Sequence, residues 1–418
     1  MKKSTHKEES SISTLDIAVL AVLLVIVSVV IIFTKDTYSP QTSNSELNSS
    51  SPIVANIPLP LQKSIETVLD AYKKELGADE IIVSVMESKT GNILSLASSN
   101  RLNLNGIIEN DKNISTNNAI EFTYEPGSVI KPITIALALD KNRVTLQEEF
   151  QAYNNGEKNK DGEYPRGKIM IDRWGISDEA QFKKNTLTIE DIIVDSSTIG
   201  TLLVANRLSG KELMDGFHQF GIASGSGIDL ANEKMGTLLT LSQLSAGDGS
   251  GKLNIFKSTV SYGQGMTTTF MELLKAYNVF NNDGKSVTPS VAKKDFANSD
   301  TKILSDKTTA IMKELLIKNV LKGTGKNALY AGLEIGGKTG TANIAINGEY
   351  KQKYITNFFG FANDSNKKYT IGVTVNNPTS TGEHWYYYYA SNSAVPVFKE
   401  VVDILVKDGY LEPNGVNK

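Results

Sequence analysis

The stretch "EFTYEPGSVIKPITIALALD", residues 121 to 140, places Ser128 and Lys131 three residues apart at what its pattern predicts to be a helix start. A Pro-Gly turn signal directly precedes Ser128, and apolar residues with helical spacing follow it. Pro132 lacks the N–H that an interior helical residue donates, so the helix is expected to begin close to Ser128. Residues three apart in a helix share one face, so the two side chains should lie together.

A serine and a lysine on one face of a helix start have a chemical use. A serine hydroxyl is a poor nucleophile until a neighbour takes its proton, and a desolvated lysine can be neutral enough to do so. Backbone N–H groups at a helix N-terminus favour developing negative charge. The Ser-x-x-Lys pattern alone is weak evidence, because it also occurs in stretches typical of tails, linkers or surface loops, starting at Ser4, Ser290, Ser299 and Ser365. The alternative that Ser128 is an ordinary solvated serine near a helix start therefore stays open on this pattern alone.

The composition argues against several classes of function. The chain has 418 residues, a formal net charge of −3, three histidines and no cysteine. A mildly acidic chain without a basic face does not indicate nucleic-acid binding. The lack of cysteine excludes a disulfide framework and a cysteine nucleophile, and scattered histidines argue against a zinc site. The sequence therefore predicts no metal and no cofactor.

The N-terminal part predicts a membrane anchor. Ile17 to Phe33 form an apolar run interrupted only by Ser28, about the length that spans a bilayer core. Lysines before the run outnumber those after it, which places residues 1 to 16 in the cytoplasm and the rest of the protein outside. A cleaved signal peptide is the alternative, but the run is long for one and no small-residue cleavage site follows it.

Residues 34 to 55 are rich in Ser, Asn and Thr, which is typical of a solvated linker. After them the pattern predicts a helix and then a hairpin around the Lys-Thr-Gly-Asn turn at Lys89. Residues 141 to 187 are charged and predicted to be irregular. The second half alternates helical segments with late strand-like runs, and a final helix follows. This order fits a sheet with helices on its faces, whose first and last helices are free to pack together.

Two further stretches complete a pattern with Ser128 and Lys131. Ser196 to Thr198 read Ser-Ser-Thr directly before an apolar run, and Lys338 to Thr341 read Lys-Thr-Gly-Thr in a strand-like context. Ser-x-x-Lys, then Ser-x-Asn, then Lys-Thr-Gly, in that order, is the signature of serine penicillin-recognising enzymes. The first and third elements match, and the second has threonine in place of asparagine.

At this point the chain resembles the class B penicillin-binding proteins, which are membrane-anchored peptidoglycan transpeptidases. The likeness covers roughly residues 56 to 407. It rests on these stretches, in the family's order: "YEPGSVIKP" (124 to 132), "GSGIDL" (225 to 230), "SYGQGMTTT" (261 to 269), "FNNDGK" (280 to 285), "GTG" (323 to 325), "GGKTGTAN" (336 to 343), "NFFGFA" (357 to 362) and "VPVFKE" (395 to 400).

The resemblance implies an α/β (α+β) fold, an antiparallel sheet covered by helices on both faces, like that of penicillin-binding transpeptidases and serine β-lactamases, preceded by one transmembrane helix. It places a transpeptidase domain at residues 56 to 410 and a C-terminal tail at 411 to 418. By the same resemblance, Ser128 is the nucleophile on a D-alanyl-D-alanine carbonyl, and Lys131 accepts its proton. Ser196 relays a proton to the leaving D-alanine.

The third motif has implied roles as well. Lys338 supplies positive potential, and the hydroxyls of Thr339 and Thr341 hold the terminal carboxylate, with Gly340 between them. Backbone N–H groups of Ser128 and Thr341 form the oxyanion hole. The implied partners are peptidoglycan stem peptides, β-lactam antibiotics and the membrane, with a cell-wall polymerase or a division or elongation complex as a further possibility.

Two features depart from the family pattern. Thr198 keeps a hydroxyl but loses the amide donor and about one bond of reach, which puts its contacts to substrate and to Lys131 in question. The family's usual pedestal domain has no counterpart between the predicted anchor and the first folded helix. A D,D-carboxypeptidase of the same fold and a catalytically weak scaffold for wall synthesis therefore stay open as alternatives. A β-lactamase is disfavoured, since no convincing Glu-x-x-x-Asn loop that could supply a deacylating base is present.

Overall fold

The computed structural model describes residues 54–101, 117–293, 300–346 and 349–415. Its centre is a five-stranded antiparallel sheet, formed by β1 (Glu80–Glu87), β2 (Ile93–Ser98), β9 (Glu334–Ile346), β10 (Glu349–Asn363) and β11 (Lys368–Asn376). These strands lie in the order β2-β1-β11-β10-β9. Three short pairs lie outside it: β3 (Phe150–Gln151) with β6 (Thr186–Leu187), β4 (Lys168–Ile171) with β5 (Trp174–Ser177), and β7 (Lys285–Ser286) with β8 (Thr301–Lys302).

The helices of the described residues are α1 (Leu59–Leu76), α2 (Asn118–Glu121), α3 (Lys131–Asp140), α4 (Ile189–Val194), α5 (Thr198–Ala205), α6 (Gly210–Gln219), α7 (Leu241–Leu244), α8 (Ile255–Ser261), α9 (Phe270–Asn281), α10 (Asp306–Lys322) and α11 (Ala394–Lys407).

Both faces of the sheet are buried under helices. In β1, Ile81 and Val83 join a core formed with α1 and α11, while Ile82 and Met86 join the larger core that contains α3 and α9. This alternation follows from the period of two along a strand. α1 and α11 pack against each other on the first face. The predicted antiparallel sheet with helices on both faces is therefore confirmed.

The opening of the domain follows the sequence prediction. α1 leads into the β1–β2 hairpin, and the Lys-Thr-Gly-Asn stretch at Lys89 forms its turn, with Gly91 at φ 78°. This second Lys-Thr-Gly is therefore a turn.

Ser128 lies in a 3₁₀ turn, Gly127–Ile130, that continues directly into α3. Pro132 occupies the first turn of α3, as its missing N–H predicts. Gly127 has φ +63°, and a Cβ there would lie 3.1 Å from the carbonyl oxygen of Thr341. Glycine thus allows both the left-handed backbone and the close approach of β9 to this turn.

Helix α9 contacts the same turn through Tyr277. The hydroxyl of Tyr277 donates a hydrogen bond of 2.7 Å to the carbonyl oxygen of Val129, and both residues are buried. Because Val129 directly follows Ser128, this bond fixes the backbone that carries the predicted nucleophile.

The segment 141–187 is less irregular than the sequence predicted. It contains β3 to β6, and the β4–β5 hairpin closes through Asp172 at φ 51°. These strands have two to four residues, too few for their alternation to stand out among charged residues.

The ends of the chain are only partly described. The predicted anchor, residues 17 to 33, and most of the predicted linker lie outside the described residues. Within the described ranges, no helix is both long and apolar enough for a membrane span. At the other end, Leu411 of the predicted tail is buried beside the first core, and the Asn414 N–H donates to the Gly332 carbonyl. The chain therefore packs on the domain beyond α11.

The Tyr277 bond gives a stability prediction. Tyr277→Phe should lower the free energy of unfolding by about 1–3 kcal/mol, because the buried Val129 carbonyl loses this donor. Urea denaturation of the full chain measures the change. Tyr410→Phe is the control, since Tyr410 is only half-buried, and its loss should stay under about 0.5 kcal/mol. Equal losses in the two variants would contradict the anchoring role of Tyr277.

Candidate active site

Two buried lysines meet at one serine hydroxyl. The Nζ of Lys338 lies 2.9 Å from Ser196 Oγ, and the Nζ of Lys131 lies 3.4 Å from the same oxygen. The lysines are 0% and 1% exposed, so neither ammonium group is hydrated as it would be at the surface. The structure thus brings residues from three separate sequence motifs into one cluster.

Different elements supply the three side chains. Lys131 is the first residue of α3, Lys338 comes from β9 at the edge of the sheet, and Ser196 lies between α4 and α5. Ser196 has φ +58°, a left-handed backbone that costs a non-glycine residue free energy and is common at functional sites. This turn lets α5 start immediately afterwards while the Ser196 side chain and carbonyl both face the lysines.

Thr198 keeps a contact that the sequence left in question. Its Oγ1 lies 3.0 Å from Lys131 Nζ, which also donates to the Ser196 carbonyl at 2.5 Å. The shorter threonine side chain thus reaches Lys131 from the first residue of α5. The threonine therefore retains this part of the asparagine's expected role.

Burial sets the protonation of both lysines. It lowers the pKa of Lys131 to about 8, against the opposing charges of Asp178 and Glu179. It also lowers the pKa of Lys338 far below its usual range, and the charge of Lys131 adds to this effect. About a tenth of Lys131 is therefore neutral at pH 7, and this form can accept a proton.

Ser128 is half-buried and lies in the 3₁₀ turn directly before Lys131. Among the described residues, Lys131 Nζ forms hydrogen bonds to Ser196 and Thr198 but not to the Ser128 hydroxyl. In unliganded enzymes the bond between nucleophile and base is often long and tightens on substrate binding. The placement of Ser128 on the same helix start fits that behaviour.

The Lys-Thr-Gly-Thr strand lies directly against the Ser128 turn. A Cβ on Gly340 would come within 2.9 Å of Val129 Cγ1, so only glycine allows this approach without a shift. Thr341 Oγ1 accepts a hydrogen bond of 3.3 Å from the Ala390 N–H. Thr339 Oγ1 lies 2.6 Å from Thr324 Oγ1. All predicted site residues thus belong to this cluster or to the strand and turn that border it.

Sequence reasoning missed Asp178. This carboxylate is 2% exposed and accepts hydrogen bonds from the backbone N–H groups of Thr198 and Ile199, at 2.5 and 3.2 Å, and from the Ser197 hydroxyl. Burial raises its pKa, and the charge of Lys131 and the N–H donors oppose the rise. Asp178 therefore fixes the start of α5, where an anion also suits the helix N-terminus.

Thr324 and Asn319 were missed as well. Asn319 donates to the Gly337 carbonyl at 2.7 Å, and its side-chain oxygen accepts from Thr324, which contacts Thr339. Together, Asn319 and Thr324 hold strand β9 at Gly337 and Thr339, the residues on either side of Lys338. The Gly-Thr-Gly stretch around Thr324 contributed to the family resemblance, but this stretch alone indicated no role for Thr324 in the site.

Comparison with known proteins identifies the family. The sequence profile described as "Penicillin binding protein transpeptidase domain" matches residues 81–403. The chain belongs to the penicillin-binding protein transpeptidase family. The resemblance stated from the motifs is thereby confirmed.

Individual relatives agree with this assignment. The chain is 28% identical to the probable peptidoglycan D,D-transpeptidase PenA of Neisseria flavescens, over 79% of this chain and 75% of that protein. It is 28% identical to the stage V sporulation protein D of Bacillus subtilis, over 77% of this chain but only 49% of that protein. The transpeptidase domain of Burkholderia pseudomallei penicillin-binding protein 3 superposes with a TM-score of 0.71 at 25% identity, covering 87% of this chain and 98% of that domain.

Asp178 gives a prediction for the pH dependence of acylation by penicillin. In Asp178→Asn the rising limb of the rate against pH should move below its wild-type position near pH 8, because Lys131 loses a negative neighbour that raises its pKa. The plateau rate should fall roughly tenfold, since a neutral amide oxygen accepts from the Thr198 and Ile199 N–H groups more weakly than the carboxylate oxygen does. Stopped-flow acylation between pH 6 and 10 measures both quantities.

Glu179→Gln is the matched control. Glu179 also raises the pKa of Lys131, but it is exposed and has no hydrogen bond to α5 among the described residues. Glu179→Gln should therefore shift the limb slightly and keep the plateau. If Asp178→Asn moved the limb to higher pH, the electrostatic coupling would be refuted.

Proposed function

We propose that the chain is a serine-type peptidoglycan D,D-transpeptidase, which cross-links stem peptides through an acyl-enzyme on Ser128. Membership of the penicillin-binding transpeptidase family supports this function. The observation that carries it is the pair of buried lysines at Ser196, one turn from Ser128. Such a cluster offers a base near neutral pH and a route for protons.

In the acylation step, Ser128 Oγ attacks the carbonyl carbon of the penultimate D-alanine while neutral Lys131 takes its proton. The N–H groups of Ser128 and Thr341 then stabilise the oxyanion. Such preorganised donors are worth on the order of 10²–10³ in rate each. The proximity of β9 to the Ser128 turn, seen at Gly127 and Gly340, suits this role.

Release of the first product needs a proton on the leaving amine. Ser196 Oγ lies within hydrogen-bond distance of both lysine Nζ atoms, so it can pass a proton from Lys131 to the nitrogen of the terminal D-alanine. The carboxylate of that residue lies, in this proposal, between Thr339 and Thr341. An anion bound there raises the pKa of Lys338 again, so that its ammonium group supplies positive potential once the substrate is in place. The amine of a second stem peptide then attacks the ester and regenerates Ser128.

The anchor and the domain limits belong to the same proposal. Residues 1 to 16 would lie in the cytoplasm, residues 17 to 33 in the membrane, and the transpeptidase domain on the outer side, where peptidoglycan is cross-linked. The apolar run and the lysine asymmetry support this topology. A β-lactam would acylate the same serine, and a polymerase or a complex of division or elongation would be the partner.

A catalytically weak scaffold for wall synthesis is the second candidate function. The observation that favours it is Thr198 in place of asparagine. The bond of 3.0 Å between Thr198 and Lys131 counts against it, because the base keeps its partner.

Intact mass spectrometry of the full chain in detergent tests the function. Incubation with benzylpenicillin should add one penicillin per chain, because Ser128 is acylated and the acyl-enzyme is hydrolysed slowly. Ser128→Ala should show no adduct. Ser365→Ala is the matched control, since Ser365 and Lys368 repeat the Ser-x-x-Lys pattern at an exposed turn, and it should react like the wild type. A wild-type chain without adduct at millimolar drug would support the scaffold instead.

A further inference from the structure

A buried asparagine joins the turn of Ser128 to the central sheet. The side-chain amide of Asn357 donates a hydrogen bond of 3.3 Å to the carbonyl oxygen of Pro126, two residues before Ser128. Asn357 lies on β10 and is fully buried. The turn is therefore tied to an interior strand of the sheet, the neighbour of the edge strand β9.

The backbone of Asn357 contacts the other half of the proposed oxyanion hole. Asn357 is paired with Gly340 in the ladder between β10 and β9, and Thr341, whose N–H is one proposed donor, directly follows Gly340. A Cβ on Gly340 would lie 3.1 Å from the Pro126 carbonyl oxygen, so this carbonyl also faces β9. Asn357 is thus linked to the Ser128 turn through its side chain and to the strand of Thr341 through its backbone.

Two buried hydroxyl groups fix the orientation of this amide. The Thr374 hydroxyl on β11 donates to the side-chain oxygen of Asn357 at 2.7 Å, and the Tyr124 hydroxyl donates to the same oxygen at 3.0 Å. Burial raises the pKa of Tyr124, so its hydroxyl keeps the proton that it donates. Because the amide oxygen faces these donors, the NH₂ group faces the Pro126 carbonyl.

An oxyanion hole works only when both of its N–H groups reach one developing oxygen. Here the two proposed donors come from different elements, the turn of Ser128 and strand β9. Gly127 and Gly340 allow these elements to approach, but a missing side chain supplies no attraction. The amide of Asn357 supplies one, since it bonds to the turn from the strand that is paired with β9.

We propose that Asn357 is a positioning residue of the active site, which sets the separation of the two oxyanion-hole donors by holding the Pro126 carbonyl beside β9. It acts through the backbone of Pro126 and Gly340 rather than through contact with the substrate. This inference rests on the proposed transpeptidase function and adds a buried side chain on which its rate depends.

Such a role has a specific kinetic signature. The oxyanion forms during acylation and not in the first, non-covalent complex with a β-lactam. A misplaced donor therefore slows acylation but leaves the dissociation constant of that complex nearly unchanged. Because asparagine and alanine are both uncharged, Asn357→Ala should also leave the pKa of Lys131, and with it the rising limb of the rate against pH, in place.

Stopped-flow acylation of the full chain in detergent by benzylpenicillin measures both constants. Asn357→Ala should lower the maximal acylation rate roughly tenfold, less than the loss on the order of 10²–10³ that follows removal of a donor itself. The dissociation constant of the non-covalent complex should change by less than about twofold.

Asn278→Ala is the matched control. Asn278 on α9 is also fully buried, donates to the Ser88 carbonyl at 3.0 Å and accepts from the Thr370 hydroxyl at 2.7 Å. It therefore has the same kinds of partner as Asn357, but its backbone acceptor lies outside the Ser128 turn. Asn278→Ala should keep the acylation rate of the wild type.

Thr374→Val tests the same link without changing the amide, and it carries the test if Asn357→Ala does not fold. It removes one hydroxyl donor from the Asn357 oxygen while the Tyr124 donor remains, so the acylation rate should fall roughly threefold. Thr370→Val is its control, because Thr370 lies on the same strand and donates to Asn278 over the same distance. It should leave the rate unchanged.

Infrared difference spectra of the acyl-enzyme report on the oxyanion hole directly. The ester carbonyl formed from isotope-labelled benzylpenicillin and Ser128 absorbs at a lower wavenumber when its oxygen is more strongly hydrogen-bonded. In Asn357→Ala and Thr374→Val this band should move to higher wavenumber. In the two control variants it should stay at the position of the wild type.

Wild-type rates and an unshifted band in both Asn357→Ala and Thr374→Val would overturn the positioning role. Equal losses of rate in these variants and their controls would overturn it too, and so would a slower acylation without a shift of the band, because the donors would then still be in place. A wild-type chain that forms no adduct on Ser128 would instead refute the proposed function.

Discussion

The structure depends on the burial of two lysines around the hydroxyl of Ser196. Moving an ammonium group out of water costs several kcal/mol even after the protein relaxes, unless it loses its proton or finds strong partners. Lys131 has the Ser196 carbonyl, the Ser196 hydroxyl and Thr198 as partners, and its pKa falls to about 8. The same burial that is costly for folding leaves part of Lys131 without its proton near neutral pH, as its proposed role of base requires.

Several backbone features allow this cluster of side chains to form. Ser196 takes a left-handed conformation, and Gly127 and Gly340 allow the turn of Ser128 and the edge strand β9 to approach more closely than side chains would permit. Each of these costs free energy or restricts the sequence, and none contributes to the two cores. The cores on both faces of the sheet supply the rigidity that supports this strain.

Local signals in the sequence predicted much of the fold and the site. The Pro-Gly turn and Pro132 located the helix start at Ser128, and the Lys-Thr-Gly-Asn stretch at Lys89 located the first hairpin. Asp178 could not be predicted, because it lies 20 residues before Thr198 in a charged segment, and only the fold places it under α5. The contact between Thr324 and Thr339 depends in the same way on how α10 packs against β9.

The most direct measurement is the pKa of Lys131 itself, by NMR titration of the full chain with isotope-labelled lysine side chains. Lys131→Arg assigns the signal, because only that resonance should vanish. A midpoint near the value of about 8 is predicted, well below the ordinary 10.5 of a solvated lysine. A midpoint at or above 10.5 would contradict the account, since Lys131 would then stay charged and could not take the proton of Ser128.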